Sequence, residues 1–154
     1  MSNMVKFGRG GFGRFLLYGA LFLLVFGATI GLSRATAQNN PYAGHPMFQG
    51  PYLAVENYFT DLQQGRPRKA AEYVRFQGMG SKARQIQFLQ NSIVQDPVTM
   101  FHILSVEPIS EREATVVVSS ALRGVSGGRP VTTNMDVIKN GSKWIINFKL
   151  LNQN

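Results

Sequence analysis

The sequence predicts an α+β domain in which three helices pack on a curved antiparallel sheet, preceded by an N-terminal transmembrane helix. Three observations support this prediction: an uncharged run at residues 15–33, helical spacing of apolar residues between 51 and 96, and four later segments rich in β-branched and aromatic residues. Helices followed by a run of antiparallel strands are typical of α+β folds, in which the helices cover one face of the sheet.

We expect four regions along the chain. Residues 1–14 form a basic cytoplasmic flank, and residues 15–33 form a transmembrane anchor or the core of a signal peptide. Residues 34–50, rich in Asn, Gly, Gln and Pro, are typical of a tether. The α+β domain then occupies residues 51–154.

The composition excludes several classes of protein. The 154 residues include 16 Lys+Arg and 8 Asp+Glu, for a net charge of +8, and no cysteine. Without cysteine there is no disulfide framework, thiol nucleophile or Cys-ligated metal. We interpret the short basic cluster at residues 66–69 as a solvated helix start. No basic stripe with interleaved aromatic residues is present, so we expect no nucleic-acid partner.

The uncharged run from Phe15 through Leu24 to Ser33 has two interpretations. As a helix its 19 residues span about 28 Å, close to the hydrocarbon thickness of a bilayer, which favours a retained anchor. Ala35 and Ala37 form an A-x-A pattern, which favours cleavage of a secretory signal after Ala37. We expect the retained anchor, with secretion after cleavage as the alternative.

The basic residues around this run predict its orientation. Lys6, Arg9 and Arg14 precede the run, whereas only Arg34 follows it before Arg66. The positive-inside rule therefore keeps the N-terminus in the cytoplasm and places the folded domain outside. The expected localisation is a single-pass protein of the cell membrane, and the membrane is its first expected partner.

Two glycine patterns lie in the N-terminal part of the chain. Residues 8–13 match G-x-G-x-x-G, but no strand precedes them, so we expect no nucleotide and no other cofactor. Gly27 and Gly31 form a G-x-x-x-G pattern inside the apolar run, which would let two such helices pack closely. A homo-oligomer is therefore left open.

Apolar spacing predicts three helices after the tether. The first ends near Gly65, because glycine suits the position just past a helix end. The segment "RPRKAAEYVRF" predicts a second helix with Pro67 in its first turn. Ser81 is expected to cap a third helix, which ends before Pro97 because the residue preceding a proline avoids the helical region.

Four strands are predicted after the helices, and a hairpin joins the last two. Asn140-Gly141 is a type I′ turn signal, which pairs Lys139 with Ser142 and therefore Val137 with Trp144. The face that carries Val137 and Trp144 is apolar, and the other face is mixed. We expect the helices to cover the apolar face.

Several motifs carry a resemblance to a known family. They are the pair Tyr58-Phe59 with Leu62 and Gly65, then Ala70-Ala71, the alternating Ala114, Val116 and Val118, and "NGSKWII" at residues 140–146. Over residues 51 to 151 the chain resembles the nuclear-transport-factor-2-like, or cone-shaped α+β, superfamily. It most resembles bacterial secreted or membrane-anchored lumazine-binding-like members of unknown function. The resemblance implies a conical pocket between sheet and helices, which some members use for catalysis and many only for binding.

Tyr58, His102 and Trp144 are the candidate lining residues of that pocket. His102 shares one side of its predicted strand with Met100 and Leu104, so we expect it to point inward. No acid is paired with His102 by sequence, and a single His among apolar neighbours is typical of a core residue. We therefore expect no catalytic residues and no metal site.

Three functions remain open at this point. The first, which we favour, is an extracytoplasmic binding domain without catalysis that meets another envelope protein or a small apolar ligand. The second is an assembly subunit of a secretion or conjugation machine, which requires a retained anchor. The third is a small hydrolase, dehydratase or isomerase that uses His102 with an acid in hydrogen-bond reach.

Overall fold

A long helix lies against one face of a five-stranded sheet and supplies much of the core. The computed structural model describes residues 41–124 and 126–149. In chain order the elements are α1 (Pro46–Gln63), α2 (Pro67–Ala70), a 3-10 turn (Ala71–Tyr73), β1 (Val74–Gln77), α3 (Lys82–Gln95), β2 (Val98–Ser110), β3 (Glu113–Leu122), β4 (Pro130–Asn140) and β5 (Lys143–Lys149). The architecture is α+β, as predicted.

The expected membrane segment lies outside the described residues. This applies to Phe15, Leu24 and Ser33 of the apolar run and to the cleavage pair Ala35 and Ala37. Among the helices that are described, none has the length and apolar character needed to cross a bilayer.

Helix α1 begins before the expected domain boundary. It starts at Pro46, which suits a first helical turn because proline lacks the N–H that would be unsatisfied there. Residues 46–50 of the predicted tether are therefore helical. At the other end Gly65 has φ +65°, its N–H donates to the Leu62 carbonyl, and the N–H of Arg66 donates to the Asp61 carbonyl. These two bonds form a Schellman motif and confirm Gly65 as the helix stop.

The second predicted helix is wrong from Val74 onward, and its middle part, Ala71–Tyr73, is a 3-10 turn. Helix α2 ends at Ala70, and strand β1 begins at Val74. Val74 and Phe76 are buried while Arg75 and Gln77 are exposed, which is the two-residue alternation of a strand. Strand β1 pairs in parallel with β5, and this long-range pairing overrides the local helical pattern.

Helix α3 has the predicted start and stop. The hydroxyl of Ser81 accepts a hydrogen bond from the N–H of Arg84 at 3.3 Å, which caps the helix. The helix ends at Gln95, before Asp96-Pro97. Leu89 is its buried residue, whereas Val94 is 78% exposed. The last turn therefore carries an aliphatic side chain out into solvent.

The sheet is mixed rather than purely antiparallel. Its strand order is β1-β5-β4-β3-β2, with β1 parallel to β5 and the other neighbours antiparallel. The parallel strand at one edge is the short β1, which the sequence pattern presented as part of a helix. With three helices on one face, the architecture is that of a cone fold.

The register of the last hairpin differs from the prediction by two residues. Asn140 pairs with Lys143, so Gly141 and Ser142 form the turn and Val137 faces Ile146 instead of Trp144. Gly141 has φ +62°, and no other residue of the turn has a positive φ, as in a type II′ turn with glycine first. A shift of two residues keeps every side chain on its predicted face.

The helix-covered face, here called the inner face, carries the core. Its buried strand residues are Ala114, Val116, Val118, Met135, Val137 and Ile146. Helix α1 packs onto them through a continuous stripe that includes Tyr52, Val55, Tyr58, Phe59 and Leu62. The predicted apolar face of the hairpin is therefore the covered one.

Strand β2 forms one edge of the sheet and is irregular. Its pairing with β3 shifts register at three places, one of them between Ile103 and Ser105. After this shift Val106 is buried, while Leu104 is 57% exposed. The shift breaks the alternation that the sequence predicts for this strand.

The N-terminal segment before α1 covers part of that edge. The Tyr42 ring stacks on Phe48 with centroids 5.4 Å apart. The Tyr42 hydroxyl accepts a hydrogen bond from the backbone N–H of Val106 at 3.3 Å. The chain thus folds back along its own helix from Pro41 onward, which shortens the predicted tether further.

Gly50 permits the close approach of α1 and β5. A Cβ atom at Gly50 would overlap the indole ring of Trp144. The Nζ of Lys139, which pairs with Trp144 across the hairpin, lies 6.0 Å from the centroid of that ring. The indole is therefore held between the helix backbone and a lysine side chain.

We expect Gly50→Ala to destabilise the protein by about 1–3 kcal/mol, the usual cost of overpacking a core contact. The direction of the change in the free energy of unfolding is informative, because Gly→Ala inside a helix is otherwise stabilising by about 0.5–1 kcal/mol. The free energy of unfolding from denaturant titration measures the effect.

The control for Gly50→Ala is a second measurement in a Trp144→Leu background, where the indole is gone. There the Gly50→Ala substitution should cost little or stabilise. An equal loss of stability in both backgrounds contradicts the contact.

Candidate functional site

A row of aromatic rings runs through the core between the helices and the sheet. The row, here called the aromatic row, runs in contact order through Phe101, Phe59, Tyr58, Phe148, Phe76 and Phe88, with successive centroids 5.1, 5.3, 6.2, 5.2 and 5.1 Å apart. These separations are typical of packed aromatic pairs. The rings come from α1, α3, β1, β2 and β5.

Tyr58 lies in the middle of the aromatic row. Its side chain is buried between Phe59 and Phe148, and burial raises the pKa of its phenol well above the usual range. A buried phenol that holds its proton is a poor general acid or base near neutral pH. The position is that of a core residue.

His102 lies on the other face of the sheet. Its neighbours Phe101 and Ile103 point to the core, so alternation turns His102 outward, opposite Ser119 of β3. Its Nε2 atom is buried and has no hydrogen-bond partner. The ion pairs between two described residues include Asp61–Arg66 and Asp136–Lys149, and none of these pairs involves His102.

Trp144 lies on the inner face at a distance from Tyr58. It packs beside Gly50, eight residues before Tyr58 on α1, which is about 12 Å along a helix. The structure therefore separates the three candidates. Tyr58 and Trp144 share the covered face without meeting, and His102 is on the opposite face.

The carboxylates near the cone are engaged with other groups. Asp61 is the buried charged residue of the described chain, and its Oδ1 lies 2.6 Å from the Nη2 of Arg66. Glu56 accepts a hydrogen bond from the Tyr52 hydroxyl at 3.3 Å. Within residues 41–149, leaving out residue 125, no three His, Asp or Glu side chains are grouped as a metal site.

A groove lies outside the cone, between the α1–α2 turn and the end of α3. Its volume is about 560 Å³, within the range of about 300–1,000 Å³ that is typical of ligand sites. One wall consists of residues 65–69, with Arg66, Arg68 and Lys69. The other wall contains Gln90, Ile93 and Val94. Among the described residues that line the groove, none is aromatic.

Sequence reasoning found the basic cluster at 66–69 and missed the groove. The cluster is local, and it reads as a solvated helix start. The opposing wall comes from the last turns of α3, more than twenty residues later, and only the tertiary packing of α2 on α3 joins the two. The feature that could have indicated the groove is Val94, an exposed aliphatic residue in an otherwise amphipathic helix.

Solved structures with similar folds were found. They include an NTF-2 like protein of unknown function from Shewanella oneidensis MR-1, with 11% identity and a TM-score of 0.50, covering 66% of this chain and 98% of that chain. A sec-c motif containing protein from Psychrobacter arcticus has 13% identity and a TM-score of 0.52, covering 79% and 78%. Delta 5-3-ketosteroid isomerase from Mycobacterium sp. has 13% identity and a TM-score of 0.49, covering 65% and 90%.

The match to the Shewanella protein, an NTF-2 like protein, shows that the chain has this fold, which the sequence motifs had indicated. None of the similarities reported shows that the chain belongs to the lumazine-binding-like subgroup. No protein-family model matches the chain, and no curated protein matches it either.

We expect Arg66→Ala to destabilise the protein by about 1–3 kcal/mol, because it leaves the buried Asp61 carboxylate without its charged partner. The measurement is the free energy of unfolding from denaturant titration. Arg68→Ala is the matched control, since Arg68 is exposed and should change stability by less than about 0.5 kcal/mol. Equal losses in the two variants contradict the role of the ion pair.

We expect stability to fall as the pH rises from about 10 towards 12. Burial, with the negative charge of Glu56 second, raises the pKa of Tyr52 to about 12 in the folded state, against about 10 in the unfolded chain. The unfolded state therefore loses its proton first. The contribution of Tyr52 to stability is complete below pH 10 and is lost as the pH approaches its folded pKa.

Denaturant titrations across this pH range measure the slope, and Tyr52→Phe should make it shallower. Glu56→Gln should also make it shallower, because it removes the neighbouring charge. The buried Tyr58 phenol should leave a residual slope in both variants. An unchanged slope in Tyr52→Phe contradicts the assignment.

Proposed function

We propose that this chain is a membrane-held, extracytoplasmic binding module that carries out no chemistry in its cone. The aromatic row is the observation that carries the proposal. A cone enzyme needs an enclosed space in which an acid or base reaches the substrate. Here that interior is occupied by rings in mutual contact.

The ionisable groups support the same conclusion. His102 is turned to the outer face and lacks a carboxylate partner among the described residues. Asp61 is bound to Arg66, and Tyr58 is held neutral by burial. An isomerase or dehydratase mechanism would need His102 inside the cone with an acid in reach. Binding at the surface requires none of these groups to move.

The expected placement outside the membrane rests on the N-terminal sequence. Three basic residues precede the uncharged run at 15–33 and one follows it closely. Within the nuclear-transport-factor-2-like fold, we place the chain nearest the secreted or anchored lumazine-binding-like members. The motifs that support this are Tyr58-Phe59 and the closing strand around Trp144. An assembly subunit would need the same retained anchor.

We expect the native chain to start at Met1 or Ser2 and to remain in the membrane fraction after alkaline extraction. An uncharged run of this length is long enough to span the bilayer. Intact mass and N-terminal sequencing of the fractionated protein measure both properties. Protease added to intact spheroplasts should digest the domain and leave a cytoplasmic marker protein whole.

A soluble chain that begins at Gln38 contradicts the anchor and leaves a secreted binding module. The matched control is Ala37→Leu, which removes the cleavage pattern. If signal cleavage operates, that variant alone shifts to the membrane fraction. If the anchor is retained, the variant and the native chain behave alike.

A further inference from the structure

The positive charge of the domain is concentrated between the end of α1 and the end of α3. From Gln63 to Gln95 there are six basic residues and one acid, whereas residues 96–149 have six basic residues and five acids. Arg68 and Lys69 on the groove wall are exposed, and neither forms an ion pair in the part of the chain that the structure describes. The groove thus presents two uncompensated cations to solvent.

An exposed aliphatic side chain lies opposite these cations. Val94 is 78% exposed, and Ile93 beside it is half-buried. Cations next to exposed aliphatic carbon are complementary to the boundary of an anionic bilayer, where phosphate groups lie above acyl chains. Single-stranded nucleic acid is a poorer fit, because it needs aromatic rings for base stacking and the described residues that line this groove include none.

The distance between domain and membrane is short. The folded part begins by Pro41, where the contacts of Tyr42 hold the segment to Phe48 and β2. The predicted membrane helix ends at Ser33, so residues 34–40 span at most about 25 Å when fully extended. A domain of this size has a radius of gyration of about 13 Å. The domain therefore stays close to the lipid surface. The groove lies at the far end of α1, about 27 Å from Pro46, so it reaches the lipid when α1 lies along that surface.

We propose that the groove between residues 65–69 and 90–94 docks the domain onto an anionic phospholipid surface. The guanidinium of Arg68 and the ammonium of Lys69 bind lipid phosphates, and Val94 enters the boundary beside them. This inference rests on the proposed function, because a retained anchor is what holds the groove at the bilayer. Docking sets which face of the domain is turned away from the membrane and free to bind.

The test uses the full chain, which has no cysteine, so that a single introduced cysteine is labelled selectively. Val94→Cys carries an environment-sensitive fluorophore, and the chain is reconstituted in vesicles of phosphatidylcholine alone or mixed with phosphatidylglycerol. We expect a blue shift and quenching by spin-labelled lipid only in the mixed vesicles. Leu104→Cys, exposed on the edge strand, is the matched control and should show neither.

Two charge variants separate specific docking from general attraction. Arg68→Gln with Lys69→Gln, in the Val94→Cys chain, should lower the ratio of docked to undocked domain about 30-fold, from the usual strength of two basic residues at an anionic surface. Arg112→Gln with Lys143→Gln changes the net charge equally at exposed sites elsewhere and should retain the shift. A higher salt concentration should remove the blue shift of the Val94→Cys chain.

Several outcomes overturn the proposal. The first is an unchanged emission of the fluorophore at residue 94 in mixed vesicles. The second is an equal blue shift in pure phosphatidylcholine vesicles. The third is an equal loss of docking in the two charge variants. A shift produced instead by an acidic peptide or an oligonucleotide, with neutral vesicles, assigns the groove to another partner. If the chain fails to reconstitute, the anchor is wrong. The labelled soluble chain is then mixed with the same vesicles, and a shift or its absence decides the groove separately.

Discussion

The packing of α1 across the inner face of the sheet is the contact on which the rest of the structure depends. Tyr58 and Phe59 project from α1 and meet rings from the edge strand β2, Phe101, and from β5 near the other edge, Phe148. One helical turn thus ties together strands that are far apart in the sheet order. Its two rings also form the middle of the aromatic row.

The proposed function lies on the surface of the molecule rather than in the cone. In a fold with an open cone, the interior collects the polar groups that handle a ligand. Here the buried acid Asp61 is matched to Arg66 at the helix end, and the remaining charges lie on the surface. The proposed docking surface lies outside the cone, where Arg66, Arg68 and Lys69 face Gln90, Ile93 and Val94. Such a surface recognises an extended partner better than a small enclosed substrate.

Patterns contained in short stretches of chain allowed correct prediction of several elements. Gly65 ends α1, Ser81 caps α3 and Asp96-Pro97 closes it, because caps and stops act over a few residues. Strand β1 was missed, since its partner β5 lies about seventy residues away and only that pairing makes it a strand. The inward direction predicted for His102 failed at the irregular strand β2. The groove was missed for the same reason as strand β1: its two walls are distant in sequence.

The early contact of Tyr42 has a consequence for the edge of the sheet. Edge strands expose backbone groups to which another chain can add. On β2 the outward N–H of Val106 is already occupied by the Tyr42 hydroxyl. Two residues on, in the same register, Pro108 has no N–H to offer. A neighbouring molecule therefore meets no donor at two successive places, and copies crowded together are discouraged from joining their sheets edge to edge.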